Sequence, residues 1–211
     1  MNNFVNACGV LLIVVFGLWS EDSRADNKAK TILALGDSLT AGYGLAQSDA
    51  FPVQLQAVLQ QAGHNIEVIN GGVSGDTSAG GRSRLEWLLA NPVDAVIVEL
   101  GANDGLRGLD PAETRANLDW IVGTLKKHDI PVLLSGMLAP PNLGEDYGKE
   151  FNSIYPDLAR QWNVALDPFF LEGVAADPNL NQADGIHPNA KGVSIIVKRI
   201  LPKILNVLNV L

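Results

Sequence analysis

The stretch Thr31-Ile32-Leu33-Ala34-Leu35-Gly36-Asp37-Ser38-Leu39-Thr40-Ala41-Gly42-Tyr43-Gly44 passes abruptly from an apolar run to small, turn-forming residues. A short apolar run ending at glycine reads as a buried strand, here one whose carboxyl end delivers Ser38 into a turn leading toward a helix. The alternation continues down the chain. Phe51–Ala62 carries Val53, Leu55, Val58 and Leu59 at helical spacing, and Gly63 suits the position just past a helix end. Ile66–Ile69, Ala95–Leu100, Pro131–Met137 and Val164–Phe169 read as further strands. Gly81–Ala90, Pro111–Lys127, Tyr147–Trp162 and a last segment from about Ala190 read as helices. Asp110 before Pro111, with Glu113 following, has the residues of a helix N-cap, and Asn189 can cap the last helix. Phe151, Ile154, Tyr155 and Leu158 form the expected buried face of their helix, and Pro202 predicts a kink or break in the last one. Strands separated by helices need crossover connections, which run the strands parallel and cover both faces of the sheet. The expectation is an α/β fold: an open three-layer α/β/α arrangement around a five-stranded parallel sheet, one domain over residues 26–211.

Composition narrows the function classes. At 211 residues, 47% hydrophobic and 18% charged, the chain reads as globular and able to bury one sizeable core. A formal net charge of −8 argues against nucleic acid, whose phosphates need clustered Lys and Arg. Val10–Trp19 is apolar apart from Gly17, too short to span a bilayer comfortably, and Ser23-Arg24-Ala25 is a small-x-small sequence. Residues 1–25 are therefore expected to be a signal peptide, with an uncleaved membrane anchor as the alternative, since Met1-Asn2-Asn3 carries no basic side chain. That expectation puts the mature protein in the periplasm or outside the cell, as a monomer with no stable membrane partner. The single cysteine, Cys8, falls within the segment removed, so no disulfide is needed.

The chemistry-bearing residues sit at the two ends of the chain. Serine is a poor nucleophile at neutral pH; it needs a base to take its proton, and the base needs a carboxylate to fix its tautomer. Ser38 near the start is answered by Asp184-Gly185-Ile186-His187-Pro188-Asn189 near the end. An imidazole has the ordinary titration range of a general base. Gly185 permits a tight turn that lets Asp184 and His187 converge. His64 and His128 sit beside Gly63 and Asp129, where a surface imidazole is ordinary. The surroundings of Ser38 are not the G-x-S-x-G elbow, and no G-K-[ST] follows a glycine run. Asp37, Asp76 and Asp104 lack the spacing of a zinc or two-metal site, so no metal or cofactor is expected, and these carboxylates are read as holding loop backbones.

Two further fragments complete a pattern: Ser74-Gly75-Asp76-Thr77 and Gly101-Ala102-Asn103-Asp104. Ser, Gly, Asn and His in that order, each in its own block, resembles the SGNH (GDSL-type) hydrolase family over roughly residues 31–202. Within it, Leu35–Gly44, Ser74–Thr77, Glu99–Gly105 and Phe151–Pro156 look closest to the secreted arylesterase and acyl-CoA thioesterase/lysophospholipase branch. Gly136–Gly144 looks more like the arylesterases. The resemblance implies strand order 2-1-3-4-5, a catalytic set of Ser38, Asp184 and His187, and an Asp184 that orients the imidazole. It also implies an oxyanion hole built from the backbone N–H groups of Ser38 and Gly75 and the side-chain amide of Asn103. The substrate it implies is a small-molecule carboxylic ester, acyl or aryl, with a long-chain thioesterase or lysophospholipase as the alternative.

Leu138–Asp146 and Glu172–Pro188 are the longest irregular stretches, and both would leave the carboxyl edge of the sheet, where open α/β folds bind ligands. Leu138, Pro140, Leu143 and Leu180 from these loops are the expected substrate-binding residues.

Overall fold

The computed structural model describes residues 29–210; the expected signal peptide lies outside them. Five parallel strands, β1 (Lys30–Gly36), β2 (Ile66–Gly72), β3 (Ala95–Glu99), β4 (Val132–Ser135) and β5 (Ala165–Asp167), form one sheet in the order β2-β1-β3-β4-β5. The register pairs Leu35 with Gly71 on one side and with Val98 on the other. The chain therefore moves outward from β1 in both directions, and the strand order reverses at β1. At such a switch point the loops beyond the strand ends diverge and leave a crevice.

Among the described residues seven α-helices accompany the strands: α1 (Ser38–Ala41), α2 (Phe51–Gln61), α3 (Ser78–Leu88), α4 (Ala102–Leu106), α5 (Pro111–Lys127), α6 (Glu145–Trp162) and α7 (Ala190–Val207). α2 packs with α7, and α3 and α6 both pack with α5, so the sheet is covered on both faces. Every residue of β3 is buried, as a doubly covered parallel strand requires.

Local chemistry fixes most boundaries. α2 buries Phe51, Leu55 and Leu59, one turn apart, while Val53 faces outward at 38% exposure. Its end is a Schellman turn: the Gly63 N–H donates to Gln60 O and the His64 N–H to Leu59 O, with Gly63 at φ +88°. Asp110 accepts from the Ala112 N–H at 2.9 Å, and Asn189 from the N–H groups of Lys191 and Gly192. α6 buries Phe151, Ile154, Tyr155 and Leu158.

Two expectations change. α3 starts at Ser78 and not at Gly81, because Thr77 caps it and Gly80-Gly81 is helical. Gly81 is there for packing: a Cβ on it would lie 2.2 Å from Leu100 Cδ1. α7 runs through Pro202 to Val207 without a break. Pro202 and Lys198, whose carbonyl loses its intrahelical donor, are both on the exposed side, where water can serve that carbonyl. Val193, Ile196, Val197, Ile200 and Ile204 hold the other side in the core. The apolar C-terminal tail has the same explanation. Ile204 and Leu208 are buried, and Lys30 Nζ donates to Leu208 O at 2.9 Å. Among the described residues no helix is long and apolar enough to cross a membrane.

Candidate active site

The loop after β5 folds into a small hairpin. Gln182 N–H donates to His187 O at 2.8 Å, Asn189 N–H to Leu180 O at 2.9 Å, and Asn181 bridges Pro188. Asp184-Gly185 forms the tip, with Gly185 at φ +70°. This turn lets Asp184 Oδ1 accept from the N–H groups of Ile186 (2.9 Å) and His187 (3.0 Å), while Oδ2 lies 2.7 Å from His187 Nδ1. The His187 and Ile186 backbone donors and the imidazole hold the Asp184 carboxyl at a pKa of about 2. With the Nδ1–H donating to Asp184 Oδ2, the Nε2 lone pair faces Ser38 Oγ, 3.0 Å away. That is the bond a general base needs to a serine nucleophile.

Ser38 opens α1 directly beyond β1, so its own N–H has no intrahelical partner. Asp37 caps this turn, with Oδ1 accepting from Leu39 N–H at 3.0 Å. Beneath it lies Glu99, the last residue of β3 and fully buried. Its Oε2 accepts from the Thr40 hydroxyl at 2.8 Å and from Asp37 N–H at 3.4 Å. Gly36 makes room for this: a Cβ there would sit 2.0 Å from Thr40 Oγ1 and 2.7 Å from Glu99 Oε2. Burial, with the neighbouring Asp37 charge, raises the Glu99 pKa well above its ordinary value. Burial also raises Asp37, to about 6, against the lowering effects of Leu39 N–H, His187 and Asn103.

The other two blocks arrive from β2 and β3. Gly75 lies in an exposed turn at φ +85°, and its N–H has no acceptor among the described residues. Asn103 Nδ2 lies 2.8 Å from Asp76 O and 3.0 Å from Asp37 Oδ2, so both amide hydrogens are engaged. Donation to an oxyanion therefore exchanges one of these acceptors for the substrate oxygen. Asp76 pairs with Arg84 Nε at 2.7 Å, and Arg84 also donates to Gly71 O and Gly36 O, tying together the ends of β1 and β2. Asp104 is buried and accepts from Ser78 and Thr114. These contacts are to backbone, hydroxyl, amide and guanidinium groups, in keeping with the loop-holding role the sequence suggests for the three aspartates.

A cavity of about 190 Å³ opens beside Ser38, Asn103 and His187. Leu39 and Met137 line it and are buried; Ala102, Pro140, Phe169 and Leu171 line it from half-buried positions; Leu106, Leu138 and Ile186 line it where it meets solvent. Of the expected substrate-binding residues, Leu138 and Pro140 are thus at the cavity. Leu143 and Leu180 are not. Leu143 ends a short 3-10 turn and faces Gly108. Leu180 belongs to the hydrophobic core, held where its carbonyl pairs with Asn189. Leu39, Met137, Phe169 and Leu171 were not anticipated, because each reads in sequence as helix, strand end or core. Leu106 had a usable signal: it follows Asn103 by three positions, one turn along a helix.

Comparison with known proteins agrees with this geometry. The GDSL-like Lipase/Acylhydrolase family matches residues 34–195. The chain is 42% identical to Esterase TesA of Pseudomonas aeruginosa, over 82% of this chain and 87% of that protein. It is 41% identical to an arylesterase of Vibrio mimicus (85% and 88% covered). It is 44% identical to Thioesterase 1/protease 1/lysophospholipase L1 of Escherichia coli K12 (76% of each covered). Among solved structures, the psychrotrophic esterase EstA of Pseudoalteromonas sp., in a form inhibited by monoethylphosphonate, superposes with a TM-score of 0.81 at 36% identity, covering 85% of this chain and 99% of that one. A serine, its histidine and a carboxylate at the switch point of a 2-1-3-4-5 sheet, in a chain matched over this length, are the parts of one lineage: the protein belongs to the GDSL-like lipase/acylhydrolase (SGNH hydrolase) family.

Proposed function

We propose that this protein is a serine esterase that hydrolyses carboxylic acyl or aryl esters of short to medium chain length through an acyl-enzyme on Ser38. The observation that carries the reading is the Asp184–His187–Ser38 hydrogen-bonded chain ending at an apolar cavity. His187 Nε2 takes the Ser38 proton as Oγ attacks the ester carbonyl. The negative charge on the carbonyl oxygen is met by the N–H groups of Ser38 and Gly75 and by Asn103. The protonated imidazole then gives its proton to the leaving alcohol, and water repeats the sequence to release the acid.

The names of the Pseudomonas and Vibrio relatives support an ester substrate. The Escherichia coli relative supports the alternative, a thioesterase or lysophospholipase on long acyl chains. Cavity size favours the first: about 190 Å³ is below the roughly 300–1,000 Å³ of pockets that enclose drug-sized ligands. A periplasmic or extracellular location for a monomeric mature enzyme is part of the proposal, supported by the apolar run Val10–Trp19 and the Ser23-Arg24-Ala25 sequence.

A series of nitrophenyl esters from acetate to palmitate, run beside acyl-CoA of matching lengths, tests the reading. Peak kcat/KM at or below about eight to ten carbons, with aryl esters preferred over acyl-CoA, is expected, because each methylene adds about 0.8 kcal/mol only while it finds apolar room. A rise continuing through palmitoyl with acyl-CoA preferred assigns the alternative.

A further inference from the structure

Ser38 and His187 belong to segments at opposite ends of the chain, and something must set the gap between them. One side chain bonds to both segments. Gln182 Nε2 donates to Tyr43 O at 2.8 Å and to Pro188 O at 3.0 Å, which uses both hydrogens of its amide. Tyr43 belongs to the nucleophile's turn: its N–H donates to Ser38 O at 3.1 Å. Pro188 directly follows His187, and the Gln182 N–H donates to His187 O at 2.8 Å. Among the described residues, the other hydrogen bond between these two turns is the His187–Ser38 contact itself. The fit is built on both sides. A Cβ on Gly44 would lie 2.1 Å from Gln182 Oε1, and the Tyr43 ring rests 4.7 Å from the His187 ring, centroid to centroid.

We infer that Gln182 is a positioning residue of the esterase: its amide spans the Tyr43 and Pro188 carbonyls and sets the reach of His187 Nε2 to Ser38 Oγ. Two carbonyl acceptors within reach of one nitrogen need a group with two donors, which a primary amide supplies. Proton transfer tolerates little misplacement, and an error near 1 Å costs on the order of 10² in rate. Gln182 touches no reacting atom in this role; it acts only through His187. The inference rests on the proposed triad.

The test is a double-mutant cycle on nitrophenyl butyrate with the full mature chain. Gln182→Ala is expected to lower kcat by roughly ten- to a hundredfold while KM stays within about twofold. In a His187→Ala background the same substitution is expected to change the residual rate by less than about twofold, because the residue it serves is gone. Gln182→Glu keeps the size but presents acceptors to acceptors, so it is expected to fall with Gln182→Ala while giving a cooperative thermal transition. Equal losses in both backgrounds, a loss confined to KM, activity above half of wild type, or failure of both variants to fold would overturn the positioning role. A His187→Ala enzyme as active as wild type would overturn the triad itself, an outcome separate from a crippled His187→Ala with additive Gln182 losses.

Discussion

His187 Nε2 lies 3.0 Å from Ser38 Oγ across a sequence separation of 149 residues. The two meet because β1 and the hairpin after β5 leave the same edge of the sheet, and α7 packs against α2 to bring the hairpin back over α1. Removing the hydroxyl should stop hydrolysis and spare the fold, since Ser38 Oγ is bonded to His187 and to no other described group. Ser38→Ala is expected to lower turnover about 10⁴- to 10⁶-fold and to abolish labelling by a fluorophosphonate, with an unchanged thermal midpoint. A purified variant keeping a tenth of the wild-type rate would remove Ser38 from the nucleophile's role.

Asn103 has a structural duty and a proposed catalytic one, and its variant should show both. In the proposed role of oxyanion donor it acts on the transition state, so Asn103→Ala should cut kcat by roughly 10²–10³ with little change in KM. Its amide also serves Asp37 Oδ2, at a carboxylate that is fully buried. Losing that donor should lower stability by roughly 1–3 kcal/mol, read as a shift in the urea midpoint. Unchanged kcat with reduced stability would leave Asn103 a loop tie and nothing more.

Such dual use shows what was legible in the sequence and what was not. The strands were legible because they are short, mostly apolar runs, nearly continuous in Ala95–Leu100, of the kind a doubly covered sheet buries. Ser38, Gly75, Asn103, Asp184 and His187 were nameable because each sits in a short block whose chemistry is local. The start of α3 and the continuity of α7 were not, since a Gly-Gly pair and an internal proline were overridden by packing on Leu100 and by a solvent-facing carbonyl. Leu180 was misplaced because an apolar residue in a long loop has the same local pattern whether it meets a substrate or the core. Gln182 was invisible because its meaning depends on Tyr43, a partner 139 residues away.

The buried acids under the nucleophile give stability a pH dependence of defined sign. A carboxyl whose folded pKa is raised binds its proton more tightly in the native state, so its contribution is complete at low pH and is lost as pH rises through the raised value. For Asp37, moved from 3.8 to about 6, the loss runs between about pH 4 and pH 6 and amounts to roughly 3 kcal/mol at 1.36 kcal/mol per unit. Glu99 extends the decline to higher pH. Asp184, held at about 2, has the opposite sign: its contribution is present above pH 4 and is lost as pH falls toward 2. Glu99→Gln keeps an oxygen for Thr40 and for Asp37 N–H but has no proton to lose. It should retain activity within about threefold and flatten the decline of urea stability with rising pH. A variant whose stability falls with pH as steeply as wild type would show that Glu99 is not the group responsible.

Acyl-chain preference should be set by the buried end of the cavity and not by its mouth. Met137 is 5% exposed, whereas Leu106, Leu138 and Ile186 are half exposed where the cavity meets water. An acyl chain anchored at Ser38 passes apolar walls until it reaches atoms that cannot move aside, because protein interiors are packed like crystals. Met137→Ala removes such atoms. It should lower stability by about 2–5 kcal/mol, as large-to-small core changes do, and move the peak of the nitrophenyl ester series to longer chains. Each additional carbon that finds room contributes about 0.8 kcal/mol, about fourfold in kcat/KM. Leu138→Ala trims a wall that water already touches, so it should reduce kcat/KM for every ester longer than acetate and leave the peak where it is. The two variants are compared on one substrate series. A peak that shifts in Leu138→Ala and stays fixed in Met137→Ala would place the length-determining surface at the solvent-facing Leu138 side of the cavity and not at the buried Met137 side.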